Sequence, residues 1–181
     1  MRVIAGSCRG RRLRSPGTAA TRPTSGRVRG AVFDLLQGVV DLDGAHVADL
    51  FAGSGALGIE ALSRGAAHAD FVDRDPAAVA AVRANLATCG FAAGAATVRR
   101  DDVLRFLARR PPERRYQLAL CDPPYAFDAW AELLGHLPAD VAVLETDRDP
   151  TLAPGWEIIK SRPHGGTLIV VVRPTPQKGS P

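Results

Sequence analysis

Short apolar runs alternate with amphipathic stretches along the chain from residue 46 onward. The apolar runs predict five buried strands, in "HVADLF", "ADFVDRD", "AATVRR", "YQLALC" and "DVAVLET". Helical spacing follows each of the first four, in "ALGIEALSRG", "PAAVAAVRANLATCG", "DVLRFLARR" and "FDAWAELLGHL". A terminal strand pair is predicted in "WEIIKSR" and "GTLIVVV". Strands that alternate with helices predict an α/β, Rossmann-like fold with a mostly parallel, doubly wound sheet of seven strands flanked by helices.

The N-terminal region follows a different pattern. In "RVIAGSCRGRRLRS" a short apolar stretch precedes alternating Arg and apolar residues, which predicts a basic β-hairpin. A loop, "PGTAATRPTSG", separates it from a helix with apolar positions from Val28 to Leu36, behind Thr24 or Ser25 as the N-cap. The predicted organisation is an arm over residues 1–24, one domain over 25–173 and a flexible tail over 174–181.

The composition fits a single intracellular domain. The chain has 181 residues, of which 46% are hydrophobic, enough for one full core. We find no signal-peptide pattern and no apolar run long enough to span a membrane. Three cysteines without a C-x-x-C pair argue against a disulfide framework and a structural zinc. We therefore expect a cytoplasmic protein, monomeric, without a metal and without membrane contact.

The charge is divided unevenly along the chain. Residues 1–30 hold eight arginines and no acid, whereas the remainder holds fifteen basic side chains and all nineteen acids. A basic arm on a mildly acidic body indicates a polyanionic partner such as nucleic acid. The alternative interpretation is a solvated, arginine-rich tail.

The stretch "GSGALG" has the G-x-G-x-x-G spacing of a nucleotide-binding turn, and Asp73 lies about 20 residues beyond it. Asp49 precedes this turn, and Asp102 follows the third predicted strand. In a doubly wound sheet these acids reach the crevice at the carboxyl ends of the strands, where ligands bind. The arrangement suits any adenosine-containing cofactor, with Asp73 on the ribose hydroxyls and Asp102 on the adenine amino group.

The stretch "CDPPY" after the fourth strand is more selective. Two prolines stiffen the loop, while Asp122 and the Pro123 carbonyl remain available as acceptors and Tyr125 supplies an aromatic face. Two acceptors and a flat face suit a planar ring that carries an exocyclic amine.

Together, "DLFAGSGALGIEALSRGA" and "DPPY" resemble a class I S-adenosylmethionine-dependent methyltransferase of the amino-group type. The stretches "MRVIAGSCRGRRL", "TRPTSGRVRGAVFDLL" and "ALSRGA" resemble the RsmD family, the bacterial guanine-N2 methyltransferases of small-subunit (16S) ribosomal RNA. The similarity extends from Met1 to about Val172. The chain departs from the family pattern at Asp101, where Gly is usual, and at Gly26 and Gly30, where acids are frequent.

The resemblance implies S-adenosyl-L-methionine as the cofactor and 16S rRNA, in an assembled or late-assembly 30S particle, as the partner. The implied catalytic residues are Asp122, Pro123 and Tyr125. The implied cofactor-binding residues are Asp49, Phe51, Ala52, Gly53, Ser54, Gly55, Asp73, Arg74, Asp102 and Val103. The implied RNA-binding residues are Arg9, Arg11, Arg12, Arg14, Arg22 and Thr24.

Three other functions remain open at this point. D-P-P-Y is shared with adenine-N6 methyltransferases of nucleic acids, so the motif by itself does not identify the base. An RNA-binding ribosome assembly factor with a vestigial cofactor pocket would keep the arm without catalysis. A nicotinamide-dependent oxidoreductase would account for the glycine turn, but it would have no clear use for the D-P-P-Y loop.

Overall fold

The computed structural model describes residues 1–17, 26–92, 94–109, 111, 115–124 and 126–176. The strands are β1 His46–Leu50, β2 His68–Asp73, β3 Ala96–Arg100, β4 Tyr116–Cys121, β5 Ala139–Thr146, β6 Trp156–His164 and β7 Thr167–Pro174. The helices are α1 Gly26–Leu36, α2 Ala56–Ser63, α3 Pro76–Cys89, α4 Val103–Ala108 and α5 Trp130–His136. Within these residues, every helix is too short or too polar to cross a bilayer.

The seven strands form one sheet in the order β3-β2-β1-β4-β5-β7-β6. The first five are mutually parallel, and β7 runs antiparallel between β5 and β6. The predicted α/β fold with a mostly parallel sheet is therefore confirmed. The strand order reverses between β1 and β4, so a ligand crevice is expected beyond the carboxyl ends of these two strands.

Two apolar layers cover the two faces of the sheet, and the alternation within β4 shows how. Leu118 and Leu120 pack into the layer that contains α1 and α2. Ala119 and Cys121 pack into the opposite layer, with α4 and α5. Since both faces are buried, the strand is almost entirely apolar, which is why its sequence reads as a continuous run.

The N-terminal arm folds back on itself without forming regular strands. An isolated antiparallel bridge joins Arg2 to Arg12, and the Val3 N–H donates to the Arg11 carbonyl over 3.1 Å. The predicted β-hairpin is thus not confirmed as a strand pair. The reason is tertiary, because the arm gives much of its hydrogen bonding to α2. The loop after the arm, with both proposed N-cap residues of α1, lies outside the described residues.

Two expectations need correction. Cys8 and Cys89 are joined by a disulfide, so the argument against a disulfide fails for this pair, while Cys121 is free and buried. The two half-cystines are 81 residues apart, and only the docking of the arm on α3 brings them together. In addition, β7 continues to Pro174, within the expected tail, and the Thr175 N–H donates to the Gly155 carbonyl.

Candidate active site

The carboxyl ends of β1 and β4 place the glycine turn beside the D-P-P corner. Leu50 pairs with Cys121 in the parallel register, and the Asp122 N–H lies 3.5 Å from the Leu50 carbonyl oxygen. The next residues along the two strands are therefore neighbours at the point where the strand order reverses. The structure thus brings together the two motifs that the sequence placed 69 positions apart.

Glycine is required at the three positions of the motif for different physical reasons. Gly53 and Gly55 have φ angles of +54° and +74°, in the left-handed region that favours glycine. A Cβ on Gly58 would lie 2.5 Å from the Phe71 ring, so this position needs glycine for helix–strand packing. A Cβ on Gly53 would meet nothing closer than 3.9 Å, so the backbone there has open space beside it.

Phe51 enters the turn with a φ of +63°, a strained conformation for an aromatic residue. Its ring packs edge-on against Phe127, at 5.1 Å between centroids, and Phe127 packs edge-on against Trp130 at 4.9 Å. This aromatic row connects the start of the glycine turn to the segment after the D-P-P corner. Strain of this kind is characteristic of functional sites.

The carboxylates of Asp49 and Asp73 organise the turn. Asp49 is buried in β1, and its Oδ2 accepts from the Gly58 N–H over 2.8 Å. Asp73 ends β2, and its Oδ2 accepts from the Gly53 N–H over 2.8 Å. The Asp73 Oδ1 accepts from the Asp75 N–H over 2.9 Å. Both acids therefore shape the backbone of the turn.

The crevice concentrates acidic side chains. Burial raises the pKa of Asp49 well above its ordinary value, and the charges of Asp122 and Asp73 raise it further. Burial also raises the pKa of the Cys121 thiol, with additional contributions from Asp49 and Asp122. Burial and mutual repulsion disfavour the ionised form of these acids, and a nearby cation would stabilise that ionised form. The crevice is therefore electrostatically suited to a positively charged ligand.

Five further predicted cofactor residues follow β1, β2 and β3. The Ala52 N–H donates to the Val72 carbonyl over 3.1 Å, and the Ser54 carbonyl accepts from Asn85 Nδ2 over 2.8 Å. Arg74 is exposed after β2. Asp102 is exposed and caps α4, because its Oδ1 accepts from the Arg105 N–H over 3.1 Å. Val103, the first residue of α4, is buried.

Beyond β4, Asp122 is half-buried and Pro123 is buried. Tyr125 lies outside the described residues. Sequence reasoning missed Glu145 in β5, a half-buried acid beside this corner whose pKa is raised to about 8, by burial and then by Asp122. The signal was available, because an acid near the end of the fifth strand satisfies the same criterion as Asp49 and Asp73.

The arm is fixed to the body on one side and carries exposed charge. Arg9, Arg11, Arg12 and Arg14 are exposed, as expected for RNA contacts. Arg22 and Thr24 lie outside the described residues. The structure therefore brings four of the predicted arginines onto one docked segment.

Glu60 of α2 attaches the arm to the body. Its carboxylate accepts from the Ile4 and Ala5 N–H groups, over 2.8 and 2.9 Å. It also pairs with Arg29 of α1, at 3.5 Å, and both side chains are fully buried. Burial lowers the pKa of Arg29, and Glu60 opposes this effect. Sequence analysis did not single out this pair, because an acid inside an apolar helix has no distinctive motif.

Asn85 of α3 links the arm to the cofactor side. Its Oδ1 accepts from the Arg14 N–H over 2.8 Å, and its Nδ2 donates to the carbonyls of Arg14 and Ser54. The side chain is fully buried. One amide thus holds the basic arm and the glycine turn in a single hydrogen-bonded unit.

The parallel sheet, the glycine turn after β1 and the D-P-P corner after β4 define a class I methyltransferase. The family model described as Conserved hypothetical protein 95 matches residues 1–173. Ribosomal RNA small subunit methyltransferase D of Escherichia coli is 35% identical over 175 residues, covering 91% of this chain and 85% of the relative. The chain therefore belongs to this family, the RsmD methyltransferases, as its motifs predicted.

Solved structures agree with this assignment. The protein yhhF from Escherichia coli superposes with a TM-score of 0.82 at 33% identity, covering 98% of this chain and 99% of that one. Protein TTHA0928 from Thermus thermophilus superposes with a TM-score of 0.78 at 32% identity, covering 94% and 98%. The likeness spans the arm as well as the sheet, so the whole described chain follows the family architecture.

Proposed function

We propose that the protein transfers a methyl group from S-adenosylmethionine to the exocyclic N2 of a guanine in 16S ribosomal RNA, within an assembled or late-assembly 30S particle. The observation that carries the proposal is the contact between the two motifs, where the Asp122 N–H meets the Leu50 carbonyl at the start of the glycine turn. A methyl donor on the turn and an amine on the D-P-P corner would then be adjacent.

The residues of the crevice fit S-adenosylmethionine better than a dinucleotide. Gly53 leaves space at the turn, and Asp73 ends β2, where it would also accept from ribose hydroxyls. The buried carboxyl of Asp49 suits the ammonium of this cation. A nicotinamide dinucleotide carries a negative diphosphate, which these acids would repel. The glycine turn is therefore assigned to the methyl donor.

When bound, S-adenosylmethionine supplies an electrophilic methyl carbon on a positively charged sulfur. Asp122 and the Pro123 carbonyl would accept hydrogen bonds from the two N–H groups of guanine N2, which would favour a pyramidal nitrogen with an available lone pair. The buried Pro123 and the row of Phe51, Phe127 and Trp130 exclude water from this corner. Positioning and desolvation then lower the barrier. The methylated nitrogen is cationic and releases a proton, for which Asp122 is the candidate acceptor.

The docked arm supplies the RNA contacts. Its exposed arginines, Arg9, Arg11, Arg12 and Arg14, bind phosphates and so orient the substrate without reading its sequence. A chain of this size has little surface for base-by-base recognition, which favours an RNA shaped by its ribosomal particle. The relative from Escherichia coli is named for the small subunit, which supports the same partner.

The decisive test of the reaction maps labelled methyl groups on small ribosomal subunits after incubation with the protein. Nucleosides from the product are then separated by mass spectrometry. N2-methylguanosine supports the proposal, and N6-methyladenosine would assign the protein to the adenine-specific class. Calorimetry with S-adenosylmethionine tests the assembly-factor alternative, since a vestigial pocket would not bind the cofactor.

The first residue-level prediction concerns Asp122. Asp122→Ala removes the charged acceptor of the amine, so we expect methyl transfer to fall by at least about 10²-fold while S-adenosylmethionine binding persists. Initial rates and calorimetry measure the two quantities. Asp128→Ala, at an exposed acid six residues further on, serves as the matched control. Turnover of Asp122→Ala within about tenfold of the parent would remove Asp122 from its role.

A further inference from the structure

Glu145 stands beside the D-P-P corner, on the strand adjacent to β4. Cys121 pairs with Leu144 in the parallel register, so Asp122 and Glu145 are the next residues on the two neighbouring strands. The alternation of the strands places both on the same face of the sheet. Glu145 pairs with Ile169 of β7, on the side of the sheet that α1 and α2 cover.

One oxygen of the Glu145 carboxyl group lacks a hydrogen-bond partner within the described part of the chain. Its Oε2 is buried, and no hydrogen-bond partner for it occurs among the residues that the structure describes. A buried polar atom without a partner is costly to a folded protein. A buried acceptor without a partner, on the strand next to the catalytic corner, indicates a contact completed by the substrate.

We propose that Glu145 is the residue that recognises the guanine, pairing its carboxyl group with the N1–H and O6 of the base. The inference rests on the proposed function, in which Asp122 and the Pro123 carbonyl hold the N2 amine. On the edge of guanine the N1–H follows N2 directly, and O6 follows N1. A group on the strand next to Asp122 is therefore placed to contact the two positions beyond the amine.

The surroundings of Glu145 keep it in the neutral form. Burial, and then the charge of Asp122, raises its pKa from an ordinary 4.5 to about 8. On the same face of the sheet, Asp49 of β1 is a further acid beside Asp122, and the acid Asp147 follows β5. On β7 the residue opposite Glu145 is Ile169. None of these groups is a cation that would draw the proton away.

A neutral carboxyl group matches guanine and mismatches adenine. Its carbonyl oxygen accepts from N1–H while its O–H donates to O6, giving two hydrogen bonds. An adenine held by its N6 amine would present the N1 acceptor and then a C–H, and so could form one hydrogen bond at most. Glu145 would therefore select guanine at a corner whose D-P-P motif accepts either amine.

Two substitutions at Glu145 test this assignment in methyl transfer to small ribosomal subunits. Glu145→Ala removes both hydrogen bonds, so we expect kcat/KM to fall by about 10- to 100-fold. Glu145→Gln keeps an acceptor and a donor in the same places, so we expect kcat/KM within about threefold of the parent. Glu132→Ala, at an exposed acid on α5, serves as the matched control. Calorimetry with S-adenosylmethionine verifies that each variant is folded.

The pH dependence separates base recognition from a structural role. In the parent, kcat/KM should decline as pH rises through about 8, because the ionised carboxyl loses its donor. In Glu145→Gln this decline should be absent. Stability gives an independent readout without substrate or cofactor. From about pH 4.5 to about 8 the folded parent holds a proton that the unfolded chain releases, so Glu145 makes stability fall with rising pH. Glu145→Gln should reduce that slope.

A modified base tests the parent protein directly. Small subunits are assembled with 2-aminopurine at the mapped guanine, which keeps the N2 amine but removes N1–H and O6. We expect the parent to methylate it at least about tenfold more slowly than guanine. Equal rates, or a Glu145→Ala variant as active as the parent, would overturn the inference while leaving guanine-N2 methylation intact. Absence of N2-methylguanosine with the parent would overturn both proposals.

Discussion

Gly58 shows how a single missing side chain sets the geometry of the crevice. Helix α2 lies so close to β1 and β2 that a Cβ at this position would be 2.5 Å from Phe71 and 3.0 Å from the Asp49 Cβ. The same approach lets the Gly58 N–H reach Asp49 Oδ2. The third glycine of the motif therefore holds Asp49 in place and does not itself face the open side of the turn.

Substitution of Gly58 tests this packing role. Gly58→Ala should lower the free energy of unfolding by about 1–3 kcal/mol, because the overpacked ring must shift. Gly135→Ala is the matched control, since this helical glycine has open space around it and gains helix propensity. Denaturant unfolding measures both variants. A Gly58→Ala variant as stable as the parent would show that this position does not limit the packing of α2 on the sheet.

At the scale of the elements, the basic arm is packed on the body of the protein and hydrogen-bonded to α2 and α3. Glu60 accepts from two arm N–H groups and pairs with the buried Arg29, and Asn85 binds the Arg14 backbone. A Cβ on Gly6 would overlap the Ser63 carbonyl at 1.6 Å, so the arm lies directly on α2. The arm is thus a positioned element, and the basic charge that it carries has a defined location relative to the crevice.

The buried pair predicts a large effect on stability. Glu60→Ala leaves Arg29 buried without its partner and frees the Ile4 and Ala5 N–H groups, so we expect a loss of about 3–5 kcal/mol. Glu157→Ala breaks an exposed pair with Arg173, at 2.7 Å, and should cost less than about 1 kcal/mol. Thermal and denaturant unfolding compare the two variants. Similar losses would mean that the pair of Arg29 and Glu60 does not anchor the arm.

For the whole molecule, charge is separated into a cationic arm and an anionic crevice. Replacing Arg9, Arg11, Arg12 and Arg14 by Ala should weaken RNA binding and reduce the slope of log affinity against log salt by about 3. Because these side chains are exposed, the free energy of unfolding should stay nearly unchanged. Binding titrations at several salt concentrations measure the slope.

The control for the charge prediction lies at the amino end of β4, away from the carboxyl ends that form the crevice. Arg115 is exposed just before β4, where it pairs with Asp140 at 2.9 Å. Arg115→Ala should leave the salt dependence of RNA binding as in the parent. An unchanged slope in the four-arginine variant would instead assign RNA contact to another surface.

The sequence by itself determined the sheet and the position of its ligand crevice. The apolar run before D-P-P predicted β4 with the bounds Tyr116–Cys121, because burial on both faces makes a strand almost entirely apolar. The motifs after β1 and β4 predicted the site, since the carboxyl ends of parallel strands meet at one edge.

Only the tertiary structure decided which distant residues became partners. The disulfide of Cys8 with Cys89, the burial of Arg29 with Glu60 and the unmet oxygen of Glu145 all depend on which surfaces come into contact. The local sequence pattern indicates which side chains of a helix or strand are buried. It does not indicate which distant residues they will contact. Residues that act through local backbone geometry were therefore predictable, and residues that act through long-range packing were not.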